Sequence, residues 1–459
     1  MPVYDARVRL LRLRDFRLLV VSNGLSSFGD ELALIALTIK VFKLSGSGIS
    51  VSAVLLAGIL PLVVFAPLAG LIVDRTETTG TLAIASAVQA AIAAALAFAQ
   101  PVWLIVALSF LLGSVASVAS PAVFAIVPKV VNEEDLTEAN ANMETARYIG
   151  MVLGPLVAGA LAGAGSREGE VALVVDALTF LAICWAAASL GVRRPPEPEP
   201  ETGRPKGEAR QGFAFIARDR VLLIAVVAIA ATVLFAAMDN VAEVFFAENP
   251  GLLNAGNMGY GLLASAWLLG MVAGAALIAR RLPEDRLAPA ILLASIVGGS
   301  AVALAAGFPA VGLALAMFAL GGVANGVESV SMRSLIHHRV PDHLRGRVFA
   351  AYYGLAMAGQ MAATVIGGLL VAGLGAQLVL LIGGLGGAAV GLIGLAWFAT
   401  LPALRREPAV VVIPEPEPVE PSRVLLVRDI TPVDGEAADV MELGEDERAE
   451  VLPSTGPHA

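Results

Sequence analysis

Two adjacent carboxylic acids, Asp30 and Glu31, lie in the middle of an apolar stretch long enough to span a membrane. The stretch runs from Phe16 to Phe42, and Asp30 lies about 21 Å along it at 1.5 Å per residue. An ionised group at such a depth costs roughly 2.5–3.5 kcal/mol, so it is a functional candidate. A carboxyl removed from water can be populated in both of its protonation states near neutral pH. The pair therefore indicates proton uptake and release, with a structural ion pair as the alternative.

Asn23 and Ser26 form one polar stripe with Asp30, because the three residues are spaced by three and four positions along a helix. Adjacent residues point about 100° apart on a helix. We therefore expect Asp30 to face a polar cavity and Glu31 to face a neighbouring helix.

Further polar groups lie in apolar stretches of the second half of the chain. Asp239 and Glu243 share a helix face at i, i+4, and Asn325 and Glu328 lie together in a later stretch. We expect Asp239 and Glu328 to be the next candidates for a proton-carrying group after Asp30.

Arg147 is the one strongly basic residue that the sequence places deep in a predicted membrane helix. A buried charge requires a partner. Glu144, three residues earlier on the same helix, is one candidate, and a distant carboxylate is the other.

The composition indicates that lipid is the solvent for most of the chain. Hydrophobic residues make up 57% of the 459 residues and charged residues 15%, and the mean hydropathy is +0.80. A soluble domain carries about 25% charged residues. The single cysteine, Cys184, excludes an internal disulfide, and the sequence shows no phosphate-binding glycine loop of an ATP-driven pump. We expect neither a catalytic centre nor a metal, cofactor or nucleic-acid site.

The apolar windows predict an all-α membrane protein with about twelve transmembrane helices in two six-helix bundles. A hydrophilic linker that buries nothing is expected over 193–212, because that stretch is rich in Pro, Glu and Arg. The predicted order is a cytoplasmic N-terminus (1–15), a first bundle (16–192), a linker region (193–220), a second bundle (221–401) and a disordered acidic tail (402–459). The predicted spans 1 to 12 are 16–42, 49–73, 81–100, 102–127, 138–162, 171–192, 221–246, 259–279, 287–306, 310–336, 347–373 and 376–401.

Basic residues concentrate on one side of this predicted topology. They precede span 1, fill the linker and follow spans 8 and 10, whereas the other side carries only Lys40, Lys43 and Arg167. The positive-inside rule places both termini and the linker in the cytoplasm. The amino-acid composition favours a bacterial protein, so we expect the membrane to be a bacterial inner membrane.

The two halves of the chain also resemble each other. Placing VPDHLRGRVF (340–349) on VPKVVNEEDL (127–136) aligns Pro341 with Pro128 and brings Gly367 onto Gly154. Two six-helix halves in parallel repeat are the plan of a secondary transporter.

Four stretches resemble those of the major facilitator superfamily, in particular its macrolide-efflux and enterobactin-exporter-like branch. They are LRDFRLLVVSNGLSSFGDELALIAL at the start, AGLIVDR (69–75) with Gly70, Asp74 and Arg75, GMVLGPLVAGA (150–160) with Gly150, Gly154, Pro155 and Gly159, and VPDHLRGRVFA (340–350) before span 11. The second motif is followed by TETTG, where the family usually has basic residues. The third is similar to the motif associated with antiporters, although span 4 lacks the arginine of many proton antiporters.

The resemblance implies a monomeric transporter in the lipid bilayer that exports small amphipathic compounds by alternating access, driven by protons. A facilitator or importer of a metabolite is the alternative with the same fold, and a receptor or scaffold without transport is a third class. Gly150, Gly154 and Gly159 indicate either close helix packing or a surface where the two halves meet.

The resemblance also implies charged contacts that close the cytoplasmic side. Asp74 is expected beside the start of span 11, where Arg345 and Arg347 reinforce the positive helix end. On the other side, Arg280 and Arg281 are expected to meet an acid at the start of span 5 (Glu133, Glu134 or Glu138).

Overall fold

The computed structural model describes residues 9–163, 169–193 and 208–401, which form helices without a β-strand. Each predicted span corresponds to a helix or to two consecutive helices. Their bounds are Arg14–Ser45 (span 1), Gly48–Val64 and Ala66–Arg75 (span 2), Thr78–Phe98 (span 3), Val102–Val130 (span 4), Leu136–Gly163 (span 5), Glu170–Ser189 (span 6), Arg220–Ala236 and Asp239–Glu248 (span 7), Gly256–Ala273 (span 8), Leu287–Gly307 (span 9), Val311–Arg339 (span 10), Asp342–Leu374 (span 11) and Ala376–Ala399 (span 12). Span 8 continues through a π-turn at Gly274–Ile278 to Arg281. The predicted all-α membrane fold is confirmed.

Ten helices within the described ranges, those of spans 3 to 12, are long and apolar enough to cross a membrane by themselves. Span 1 is not among the ten, although its helix has 32 residues. Span 2 falls short because it is interrupted at Phe65, and its first piece has only 17 residues. Pro61 lies within that piece and a second proline opens the next one, so two backbone N–H donors are missing around the break. The chain is a multi-pass membrane protein.

Charged side chains define several helix ends. Glu77 accepts hydrogen bonds from the backbone amides of Thr79 and Gly80 at the start of span 3, at 3.0 and 2.7 Å. Asp219 accepts from the first amides of span 7, and Lys40 donates to the last carbonyls of span 3. Each bond satisfies a backbone group that a helix end leaves without an intrahelical partner.

A short helix, Glu208–Arg218, precedes span 7, and we call it the linker helix. Phe215 and Ile216 of this helix are buried, and Gly212 lies so close to the backbone of Arg347 in span 11 that a Cβ would overlap it. The expectation that 193–212 buries nothing is therefore wrong for its last residues. The apolar pair at 215–216 supplies a face that packs on the second half, while 194–207 lies outside the described residues, as does the predicted tail.

The two halves contact each other mainly at one end of the molecule, which we call the closed end; span 1 ends there at Ser45. Lys43 forms an ion pair with Glu248 across the halves at 2.6 Å, and Phe42 packs edge-on against Phe245. One cluster of buried apolar residues runs through both halves at this end. A separate cluster fills the opposite end of the first half alone, so the halves diverge there, at the open end.

Candidate functional site

Asp30 lies in a cavity of about 260 Å³ inside the first half, which we call the carboxylate cavity. Spans 1, 3, 4, 5 and 6 all contribute to its wall. The Asp30 side chain is exposed to this internal space while the residues beside it, Gly29 and Leu32, are buried. The polar lining comprises Ser22, Asn23, Ser26, Ser27, Asp30, Glu31, Ser86, Gln89, Ser120 and Arg147.

The polar stripe predicted on span 1 faces this cavity, with Asn23 and Ser26 beside Asp30. Asn23 is partly committed to structure, because its side-chain amide donates to the carbonyl of Met143 in span 5 at 2.8 Å. Ser86 and Gln89 in span 3 are buried polar residues that the sequence analysis did not single out.

Glu31 lines the same cavity as Asp30, so the expectation that only Asp30 faces it is wrong, although Glu31 also lies against a neighbouring helix, span 5, as expected. The two side chains diverge on the helix, but the cavity wraps around span 1 far enough to receive both. A glycine in span 5 makes the room, since a Cβ on Gly154 would lie 2.7 Å from the Cβ of Glu31.

Arg147 pairs with Glu144 on the same helix: its Nη2 lies 2.8 Å from Oε2 of the carboxylate. The local partner is thus the one present, and the guanidinium also lies over the ring of Tyr148, at 4.8 Å from the centroid. Arg147 lines the carboxylate cavity with Asp30 and Glu31, and its charge acts on Glu31. A rearrangement of one side chain would change its partner.

A larger space of about 740 Å³, which we call the cleft, lies between the halves at the open end. Spans 5, 8 and 10 form its walls, and most of the lining is apolar. Its charged residues are Glu144, Arg280 and Arg333. Glu144 faces the cleft while its partner Arg147 faces the carboxylate cavity, so one ion pair separates the two spaces.

The glycines of the antiporter-like motif divide between two contacts. Gly150 and Gly154 pack against the backbone of span 1 in their own half, so close that a Cβ would meet main-chain atoms. Gly159 faces the other half instead, where a Cβ would lie 2.9 Å from the carbonyl of Asn257 and 3.1 Å from Cα of Gly261. The Pro155 carbonyl also contacts Gly261. Both alternatives for this motif therefore hold, each for different residues.

The acids of the second half do not share the carboxylate cavity. Asp239 is buried at the break in span 7, against Gly383 of span 12. Glu328 is buried in span 10, and Asn325 is half-buried on the same helix. Asp239 and Glu328 therefore lie apart from Asp30, in a different half of the protein.

Asp176 in span 6 is a buried acid beside the site that sequence reasoning missed. It is fully buried, and its carboxylate lies against Gly29, the residue before Asp30. The signal was available, since Asp176 is an acid within an apolar span, the criterion that selected Asp30.

The residues expected to close the cytoplasmic side have other partners in this conformation. Arg345 pairs with Asp342 at 2.6 Å, and Arg347 donates to Gln211 of the linker helix. Arg280 lines the cleft, and Arg281 is exposed beside it. These interactions belong to a state in which the halves are apart at this end, so the closing contacts stay a prediction. The surroundings of Gly70 and the side chain of Asp74 lie outside the part of the chain that the structure describes, so the expected place of Asp74 beside span 11 stays a prediction. Arg75 ends the second piece of span 2.

Comparisons with known proteins agree with this architecture. An uncharacterized MFS-type transporter of Bacillus subtilis, YfiS, is 24% identical over 378 residues, which cover 80% of this chain and 89% of that protein. Macrolide efflux protein A of Streptococcus pyogenes is 26% identical over 144 residues, 30% of this chain and 36% of that protein. The crystal structure of the nucleoside transporter NupG superposes with a TM-score of 0.69 at 14% identity, covering 84% of this chain and 99% of that one.

The family model described as Major Facilitator Superfamily matches residues 19–356 and 253–429. That match extends over most of the chain and includes the carboxylate cavity and the cleft. The chain belongs to the major facilitator superfamily of membrane transporters.

Proposed function

We propose that this transporter exports small amphipathic compounds in exchange for protons. The observation that carries the proposal is the ion pair between Glu144 in the cleft and Arg147 in the carboxylate cavity. This pair links the two spaces: protonation of the acids in the carboxylate cavity and binding of a substrate in the cleft both depend on which carboxylate Arg147 pairs with.

The exchange follows from the two partners that Arg147 can take. When Asp30 and Glu31 are protonated they carry no charge, so Arg147 remains with Glu144. When they lose their protons they become anions in a low-dielectric space and attract Arg147 strongly. Glu144 then presents an unpaired carboxylate to the cleft. Proton release thus frees the Glu144 carboxylate to bind a cationic substrate, and proton uptake returns this carboxylate to Arg147.

The cleft supports an amphipathic substrate. Its walls are mostly the side chains of Ile149, Leu153, Leu269 and similar residues, with Tyr148 and Glu144 on one side. Apolar walls with a few polar groups are typical of sites for small organic ligands. A relative of this chain is a macrolide efflux protein, and macrolide-type drugs belong to this chemical class.

The charge distribution supports an orientation of the transporter in the membrane. Arginines gather at the open end, before span 1 and after spans 8 and 10. The positive-inside rule assigns that end to the cytoplasm, with both termini there. The cleft then receives its substrate from inside the cell, and protons enter from outside when the closed end opens.

Everted membrane vesicles with an acidified lumen test this function. A macrolide and a fluorescent amphipathic dye serve as probes, and we expect both to accumulate only while the pH gradient lasts. Asp30→Asn should abolish this accumulation while dye still moves down its own gradient. Asp285→Asn, which changes an exposed acid between spans 8 and 9, is the matched control and should transport normally.

Three results contradict the proposal. Equal uptake with and without the pH gradient would indicate a facilitator. Wild-type accumulation in Asp30→Asn would show that this residue does not carry the proton. An absence of transport for every probe, with the protein inserted and folded, would favour the receptor or scaffold.

A further inference from the structure

Asp176 is an acid with few partners in a membrane-embedded helix. It lies six residues after the start of span 6, about 9 Å along the helix at 1.5 Å per residue. Its Oδ1 accepts a hydrogen bond from the hydroxyl of Thr179 at 3.4 Å, and Oδ2 has no hydrogen-bond partner among the described residues. The side chain is 0% exposed. An ionised carboxylate in this setting would be strongly unfavourable, because no cation or set of donors compensates its burial.

The carboxyl of Asp176 packs directly on the backbone of span 1. Gly29 makes this contact possible, since an added Cβ there would overlap Oδ1 of Asp176 and lie 2.5 Å from Oγ1 of Thr179. Asp30 is the next residue after Gly29 in span 1, and spans 1 and 6 pack against each other. Asp176 and Asp30 therefore lie at one level of the first half, on two neighbouring helices.

The elements packed around span 6 bring no cation to Asp176. Span 1 contributes Asp30, and span 3 carries no ionisable side chain along its helix. Span 5 contributes Glu144 and Arg147, which pair with each other. Span 6 itself adds Glu170 at its start and the thiol of Cys184. The electrostatic partner of Asp176 is thus another acid.

We propose that Asp176 is a second proton-carrying residue, which exchanges a proton with Asp30 beside the carboxylate cavity. The proposal rests on the proton-coupled function above and adds a residue on a second helix, at the level of Asp30. The proton moves from one carboxyl oxygen to the other, so one acid becomes ionised as the other becomes neutral. The two sites then titrate as a coupled pair.

Infrared spectroscopy of the purified protein in lipid vesicles tests this without substrate or gradient. A protonated carboxyl gives a C=O stretching band that shifts when H₂O is replaced by D₂O. We expect the wild-type protein to lose this band over a broad pH range, Asp176→Asn to lack part of it, and Asp30→Asn to change the pH at which the remaining part disappears. Where groups couple by more than about one pH unit, the displacement is of that size or larger.

Two outcomes would overturn the proposal. One is an Asp176→Asn spectrum identical to that of the wild type at every pH. The other is an Asp176 band whose pH dependence is the same in Asp30→Asn. The infrared measurement involves no transport, so either outcome leaves the export proposal untouched. Conversely, a failure of gradient-driven export would not affect the interpretation of the infrared bands.

A pair of alanine substitutions separates proton exchange from simple packing. Gly29→Ala keeps both acids but displaces the carboxyl of Asp176, so we expect the two bands to titrate independently. Gly58→Ala in span 2 is the matched control, because a Cβ there meets nothing within 4 Å. Coupled titration that persists in a folded Gly29→Ala protein would count against the proposal.

Discussion

Gly261→Ala should shift the balance between the two conformations of the transporter. Gly261 in span 8 lies at the closed end, where a Cβ would meet the carbonyl of Pro155 and lie 3.0 Å from Cα of Gly159 in the other half. These are backbone atoms, which cannot turn aside as a side chain can. Overpacking of this kind costs about 1–3 kcal/mol. The cost falls only on the state in which this end is closed, so the conformational equilibrium should move about 5- to 150-fold towards the other state.

Reagent access to the cleft measures this shift. In a Cys184→Ala background, Thr145→Cys places one thiol in the cleft, on an exposed side chain at the open end. A maleimide added to the protein in detergent should label it more slowly when Gly261 is alanine, because the cleft is open in fewer molecules. Gly354→Ala is the matched control, since a Cβ at that glycine in span 11 meets nothing within 4 Å.

Gly154→Ala provides a second comparison. Gly154 packs within the first half, so its alanine variant should lower the thermal stability without changing the ratio of the two states. If Gly261→Ala labels at the wild-type rate, or if Gly154→Ala slows labelling equally, the assignment of Gly261 to the seal between the halves is refuted.

Two further predictions concern stability. Asp219→Asn should cost about 3–5 kcal/mol, measured as a lower thermal midpoint, because it removes the carboxylate charge 2.8 Å from the buried guanidinium of Arg339. Asp342→Asn, at an exposed pair, should cost under about 1 kcal/mol. Equal losses in the two variants would contradict this. For Glu77, burial raises the pKa, but hydrogen bonds from Gly80 and Thr79 outweigh it and hold the pKa below 4.5. The stabilisation by Glu77 should therefore be present above pH 4.5 and be lost as the pH drops below that value. Glu77→Gln should remove this part of the pH dependence of the thermal midpoint. An unchanged dependence in the variant would refute the role of Glu77 as a helix cap.

The helical spans could be predicted because membrane insertion depends on composition over a window of residues. A run of apolar side chains specifies a helix regardless of what it packs against. The interruption of span 2 at Phe65 was harder to predict from the sequence, because prolines within membrane helices are often accommodated without a break. The linker helix was missed for a different reason. Its buried face depends on Gly212 meeting the backbone of Arg347, a contact that no local pattern records.

The candidate site was only partly predictable. Asp30 stood out because a charged residue in an apolar helix is costly wherever it points. The placement of Glu31 failed because helix geometry gives a direction but not the shape of the cavity around it. Asp176 obeys the same rule of cost as Asp30, yet its proximity to Asp30 depends on how spans 1 and 6 pack at Gly29.

The ion pair between Lys43 and Glu248 at the closed end gives the protein a built-in chemical reporter. The chain has four lysines, Lys40, Lys43, Lys129 and Lys206. At the closed end Lys40 is buried with its amine bonded to carbonyls, whereas the side chain of Lys43 is 33% exposed. The partner of Lys43 belongs to the opposite half, so separation of the halves at this end releases its amine. Acylation of one native residue by an amine reagent would then follow the transport cycle without an engineered label.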